Sequence, residues 1–178
     1  HVTNSKILQC GAQLIAFTLL LLSSGLALAL GQRVQLKGHI PYAAIADAQY
    51  IAPMEGSESL DLVIGLPLRN QEKLVQLIQD LHDPSHPSYG KFLTPEDFVE
   101  QFGPSSEDVE AVKSHFSGGG YQMRNVSSNR MLMHFRAQVA TIEKTMNLRI
   151  NHYRRANRGF YATSKEPSLP PEIASRIL

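Results

Sequence analysis

The chain has 178 residues, 43% of them hydrophobic and 19% charged, which fits one globular domain with additions. Its 17 Lys and Arg nearly balance 16 Asp and Glu, which argues against a nucleic-acid binder that works by neutralising phosphates. The single cysteine, Cys10, excludes a disulfide framework and leaves the chain after it without a thiol nucleophile.

Lys6 is the only Lys, Arg, Asp or Glu before Arg33. An apolar stretch from Leu14 to Leu22 follows, and then a small-residue ending in which Ala27 and Ala29 form Ala-x-Ala. A weak positive region, an apolar core and such an ending make a secretory signal peptide over residues 1–29, predicted to be cut after Ala29. The rival reading is an uncleaved anchor, because Ile7 to Leu30 is long enough to cross a bilayer with some tilt. The small residues favour cleavage, and Gln9 before Cys10 does not suit a lipid-anchor signal. The expected location is therefore secreted, extracellular or periplasmic, with membrane contact only through this segment during export. Losing residues 1–29 removes Lys6 and no acid, leaving 16 basic and 16 acidic side chains. His39, His82, His86, His115, His134 and His152 remain, so acidification turns a neutral domain cationic.

Residues 30–58 have mixed polarity with Gly38, Pro41, Pro53 and Gly56, and are read as an N-terminal arm. From Leu60 to Leu68 every even position is apolar, a strand with one buried face. Asn70 is placed to cap a helix whose stripe is Leu74, Leu77, Ile78 and Leu81. The next block, Leu81 to Phe98, is stiffened by Pro84, Pro87 and Pro95 and carries Tyr89, Phe92, Leu93 and Phe98 as apolar anchors. Its end, Thr94-Pro95-Glu96-Asp97, is a helix start. From chemistry alone, sealing a core and presenting a surface are equally good readings of this loop. Gly103-Pro104 then breaks the chain. Ser105 with Asp108 predicts a capped helix with the stripe Val109, Val112 and Phe116, ending near Gly118.

Tyr121 to Ser127 and Met131 to Phe135 are predicted as a hairpin about the turn Ser128-Asn129-Arg130. A short helix carrying Val139, Ile142 and Met146 follows and ends at Asn147. A last strand runs from Leu148 to about Tyr153, with Phe160-Tyr161 as an edge segment. The order β-α-(α)-α-β-β-α-β predicts an α+β fold: a ferredoxin-like antiparallel sandwich over residues 59–163. Residues 164–178 are extended by their prolines and then begin a short helix, as a linker or a disordered end.

No arrangement of Ser, His, Asp or Glu signals catalysis: there is no G-x-S-x-G and no H-E-x-x-H. Gly118-Gly119-Gly120 runs from helix to strand, the wrong direction for a phosphate loop. His82, Asp83 and His86 offer three metal-ligand types, but the proline-stiffened segment lacks a helical i, i+4 face, so a structural role is the better reading. Asn125-Val126-Ser127 is a formal glycosylation sequon.

Several blocks in order closely resemble the activation pro-domain of the sedolisin, or kumamolisin-type, serine-carboxyl peptidases. They are Leu62 to Asn70, His82 to Phe98, Phe102-Gly103-Pro104-Ser105, Val126 to Arg130, Val139 to Met146, Phe160-Tyr161 and Leu169-Pro170. The motif positions are His82, Asp83, Pro84, Pro87, Tyr89, Leu93, Thr94, Phe98, Phe102, Gly103 and Pro104, read as structural. Met146 stands where the family commonly has Phe, and Ala137 where it has Gly.

The resemblance implies a pro-domain that acts as intramolecular chaperone and autoinhibitor of a cognate catalytic domain and is cut away at acidic pH. Residues 164–178 then lead toward that domain, which this chain lacks. The family's catalytic triad and calcium site belong to the catalytic domain, so no cofactor is expected here. His82, His86 and His134 are the candidate pH sensors, and Leu169, Pro170 and Pro171 the candidate cleft-blocking tail, with the proline-rich loop bracing the domain. The alternatives are a free-standing inhibitor of the same fold and, less well supported, a small-ligand or RNA-binding module.

Overall fold

The computed structural model describes residues 31–178, so the leader with Ala27 and Ala29 lies outside the described residues. In the unit Arg33–Leu178 the chain runs through β1 (Val34–Gln35), α1 (Tyr42–Ile45), β2 (Gln49–Pro53), β3 (Ser59–Gly65), α2 (Gln71–His82), α3 (Pro95–Phe102) and α4 (Ser106–Gly118). It continues through β4 (Gln122–Val126), β5 (Leu132–Gln138), α5 (Val139–Met146), β6 (Ile150–Arg155), β7 (Arg158–Thr163), β8 (Ser168–Leu169) and α6 (Pro171–Ala174). The fold is α+β with antiparallel sheets, as expected of a ferredoxin-like pro-domain.

Period-two sequence sets the central sheet. Its order is β3-β5-β4, with Leu62 opposite Phe135 and Ile64 opposite Met133. These residues turn inward, and α4 packs on β4 while α5 packs on β5. Val112, Phe116, Met133, Phe135, Val139 and Leu66 are fully buried between the layers. The β4–β5 turn is fixed by its side chains: Asn129 Oδ1 accepts from the Ser127 hydroxyl at 2.6 Å and from the Met131 N–H at 3.1 Å. Arg130 takes the left-handed conformation, φ 60°.

The Ser105 cap forms as expected, its hydroxyl accepting from the Asp108 N–H at 3.0 Å. The Asp108 carboxylate accepts the Ser105 hydroxyl at 2.6 Å. Ser105→Ala should cost about 1 kcal/mol, read as a lower urea midpoint at unchanged slope. Asn70 differs from expectation. It sits at the start of α2 in the left-handed region, and its side chain makes no cap, donating instead to the Gln101 carbonyl at 2.8 Å.

Two elements depart from the sequence reading. The arm is folded: β2 pairs with β6, and Tyr50 meets Tyr153 edge-on at 6.0 Å. Its polarity is mixed because it is an exposed edge strand with little buried face. The last predicted strand, β6, does not extend the central sheet. It lies between β2 and β7 in a second sheet, since both of its edges are taken by those strands.

Candidate functional site

Strand alternation leaves the side chains of Asp61, Val63, Leu132, His134 and Arg136 on the face of the central sheet away from the core. Cross-strand rows are Asp61–Arg136–Gln122 and Val63–His134–Asn125. Val63 is 54% and Leu132 43% exposed, an apolar centre in a polar surround. Arg136 reaches Asp61 at 3.3 Å, a surface pair that adds little stability. His134 is half-buried between Val63 and Asn125.

The proline-rich block is ordered, as its composition implies, by a run of turns. His86 N–H donates to the Asp83 carbonyl, Tyr89 to His86 and Lys91 to Ser88, each at 3.0 Å. The Asp83 carboxylate accepts the Ser85 hydroxyl at 2.7 Å and its N–H at 2.8 Å, and these bonds hold the acid below its ordinary range. His82 Nδ1 lies 2.7 Å from the Ile78 carbonyl. His86 Nδ1 accepts from the Ser88 N–H at 3.2 Å, and its Nε2 stands 3.9 Å from Asp80. Thus His82 and His86 sit on the loop and His134 on the sheet. The three candidate sensors form no single cluster.

Other motif positions are architectural. Thr94 caps α3 by accepting the Asp97 N–H at 3.1 Å, and Phe98 packs on Phe102 at 5.6 Å. Phe102 and Pro104 are buried. A Cβ on Gly103 would stand 2.6 Å from the Val99 carbonyl oxygen, so a side chain there cannot fit without movement. Pro84, Pro87 and Tyr89 remain exposed. With Leu93 and Phe92, α2 and α3 enclose an open groove of 1090 Å³ lined by Leu74, Leu77, Ile78, Leu81, Phe98 and Val99.

The C-terminal segment is extended and then begins a short helix, as expected, but it is folded onto the domain rather than being a free linker or a disordered end. Leu169 is fully buried and pairs with Val34 in β1. Pro170 is half-buried, Pro171 is exposed at the start of α6, and Ile173 is buried. Arg176 pairs with Asp108 and, at 3.7 Å, with Glu107. The Leu178 N–H donates to the Gly65 carbonyl at 2.9 Å. Prolines indicate extension in a local reading, whereas the partner strand β1 lies more than a hundred residues earlier in the sequence. The i, i+4 spacing of Ile173 and Ile177 was the available signal.

Sequence reasoning also missed a polar junction beneath this segment. The Ser105 hydroxyl holds the Asp108 carboxyl below its usual range, with Arg176 adding to the effect and burial opposing it. His115 Nε2 is buried without a hydrogen-bond partner among the described residues, and burial lowers the pKa of the imidazole.

An antiparallel sheet backed by helices, with Val63 and Leu132 exposed on its outer face, defines an α+β domain of the antiparallel sandwich class. Residues 46–178 match the family model described as Pro-kumamolisin, activation domain, and the chain belongs to that family. It is 27% identical over 137 residues to sedolisin of Pseudomonas sp. (strain 101), covering 75% of this chain and 23% of that protein. To xanthomonalisin of Xanthomonas sp. (strain T-22) it is 26% identical over 131 residues, covering 74% and 16%. Tripeptidyl-peptidase 1 of Mus musculus is 40% identical over 67 residues, covering 38% and 12%. The chain thus spans less than a quarter of the length of these relatives.

Proposed function

We propose that this chain is the pro-domain of an exported sedolisin-type serine-carboxyl peptidase: it assists folding of the catalytic domain, caps it, and is released by cleavage at acidic pH. The observation that carries the reading is the activation-domain match across residues 46–178, joined to a sheet face with Val63 and Leu132 exposed at its centre. An interface of ordinary size buries roughly 800 Å² on each partner. The outer face of β3-β5-β4 supplies an apolar centre, with Asp61, Arg136 and Gln122 at its rim. Near neutral pH, charge pairs across such a rim hold. In acid, carboxylates lose charge and histidines gain it, and the complex weakens.

The test is inhibition of a sedolisin catalytic domain by the purified chain, at neutral and acidic pH. Strong inhibition near neutrality that fades in acid is expected, and Leu132→Asp should weaken it by at least about tenfold, as loss of a central apolar contact does. Absence of inhibition by the folded chain, or inhibition equal at both pH values, would overturn the reading.

A further inference from the structure

We propose that the N-terminal segment Arg33–Pro41 is a strap that holds the C-terminal segment Ser168–Leu178 on the domain and governs its opening. The strap and the segment meet residue by residue. Arg33 Nε donates to the Ser168 hydroxyl at 3.1 Å, and its Nη2 donates to the Ser168 carbonyl and to the Thr145 carbonyl at the end of α5. Val34 and Gln35 are in register with Leu169 and Ser168, and the Leu36 N–H donates to the Pro167 carbonyl at 2.8 Å. The N–H groups of Gly38 and His39 are then taken by the two oxygens of Glu166, at 2.9 and 3.0 Å.

Beyond these bonds the strap's apolar anchor is Leu36, half-buried against the core. Val34 is 42% exposed, and α1, which follows it, has no buried residue. The tail, by contrast, is seated by Leu169 and Ile173 in the core and by Arg176 on α4. A contact of this kind is reciprocal: the strap is ordered by the tail, and the tail loses its backbone partners on one side when the strap lifts. Segments held mainly by hydrogen bonds near the surface open locally, below the cost of global unfolding. Among the described residues, Arg33 is the side chain whose hydrogen bonds tie the start of β1 to β8 and the end of α5, so it sets how often opening occurs. In this arrangement the tail is a retained element of the domain whose exposure is controlled from the opposite end of the folded unit.

Amide hydrogen exchange on the full chain, without any protease partner, tests this independently of the proposed function. In Arg33→Ala the amides of residues 168–178 should exchange roughly tenfold faster, the order expected for loss of a charged hydrogen-bond donor, while the β5 amides stay unchanged. Glu166→Gln should act in the same direction and carries the test if Arg33→Ala does not fold. Gln35 and Ser168 are register partners beside the bonded Leu36–Pro167 pair, a spacing of about 4.5 Å that a disulfide bridges. Oxidised Gln35→Cys with Ser168→Cys should restore slow exchange in the Arg33→Ala background. The proposal fails if tail and β5 amides accelerate together, if both single variants leave the tail unchanged, or if the cross-link does not slow it.

Discussion

Phe116→Ala should lose about 3–5 kcal/mol of stability, the cost of truncating a fully buried aromatic side chain, and leave the domain close to unfolding. Phe116 is fully buried on α4. Its ring meets Tyr121 edge-on at 5.1 Å and Phe135 at 5.3 Å, and Tyr121 meets Phe135 at 6.3 Å. The three rings join α4, the entry to β4, and β5. Removing the central ring leaves a void walled by two rigid groups that cannot collapse into it, so the cavity cost adds to the lost transfer free energy. Total stability of a domain this size is on the order of 5–15 kcal/mol, so the expected loss is a large share. Urea unfolding followed by circular dichroism should show a much lower midpoint with an unchanged slope. Phe116→Leu, which retains most of the volume, should lose clearly less. A melting temperature of Phe116→Ala within a few degrees of the parent would contradict this account of the core.

The central sheet and its helices were legible because their signals are local. Leu60, Leu62 and Ile64 alternate, Val112 and Phe116 repeat at helical spacing, and Ser105 precedes Asp108 by three; each became the expected feature. The β1–β8 and β2–β6 pairings were not legible, because both join the arm to the far end of the chain. Neither β1 nor β2 has a continuous apolar face to announce a partner. The same limit hid the polar junction. Asp108 reads locally as half of a cap, and nothing near it in sequence indicates that Arg176 arrives from sixty-eight residues away. The candidate face was half legible. Alternation assigns Val63 outward, but only the register with β5 sets it beside His134 and Asp61 opposite Arg136.

Acidification should loosen the contact of α4 with the C-terminal segment in two pH windows. Asp108 and His115 are seven residues apart on α4, two turns, and so share a face. Asp108 meets Arg176 of the tail, and the charges acting on His115 are Glu172 of α6 and Arg33 of the strap. Burial lowers the His115 pKa, with Glu172 opposing and Arg33 adding to the effect. The unfolded chain therefore binds the proton more readily. Stability contributed by the neutral imidazole begins to fall as pH drops below about 6.5, and the decline ends below the folded pKa. Asp108 is an acid with a depressed folded pKa. Its contribution is complete above the ordinary carboxyl value of about 3.9 and is lost as pH falls through the folded value.

Both groups act in the same direction on one contact, through opposite charge changes. The histidine gains a charge that its site does not solvate, and the aspartate loses one that Arg176 needs. Urea midpoints measured from pH 7 to pH 3 should decline in both windows. His115→Gln, neutral throughout, should flatten the upper one. Asp108→Asn should start lower at neutral pH and flatten the lower one. If His115→Gln keeps the full decline between pH 6.5 and pH 5, the imidazole is not the upper group. The pH dependence of the α4 junction would then rest on the carboxylates that face Arg176, Asp108 and Glu107, and mild acid would leave the tail in place.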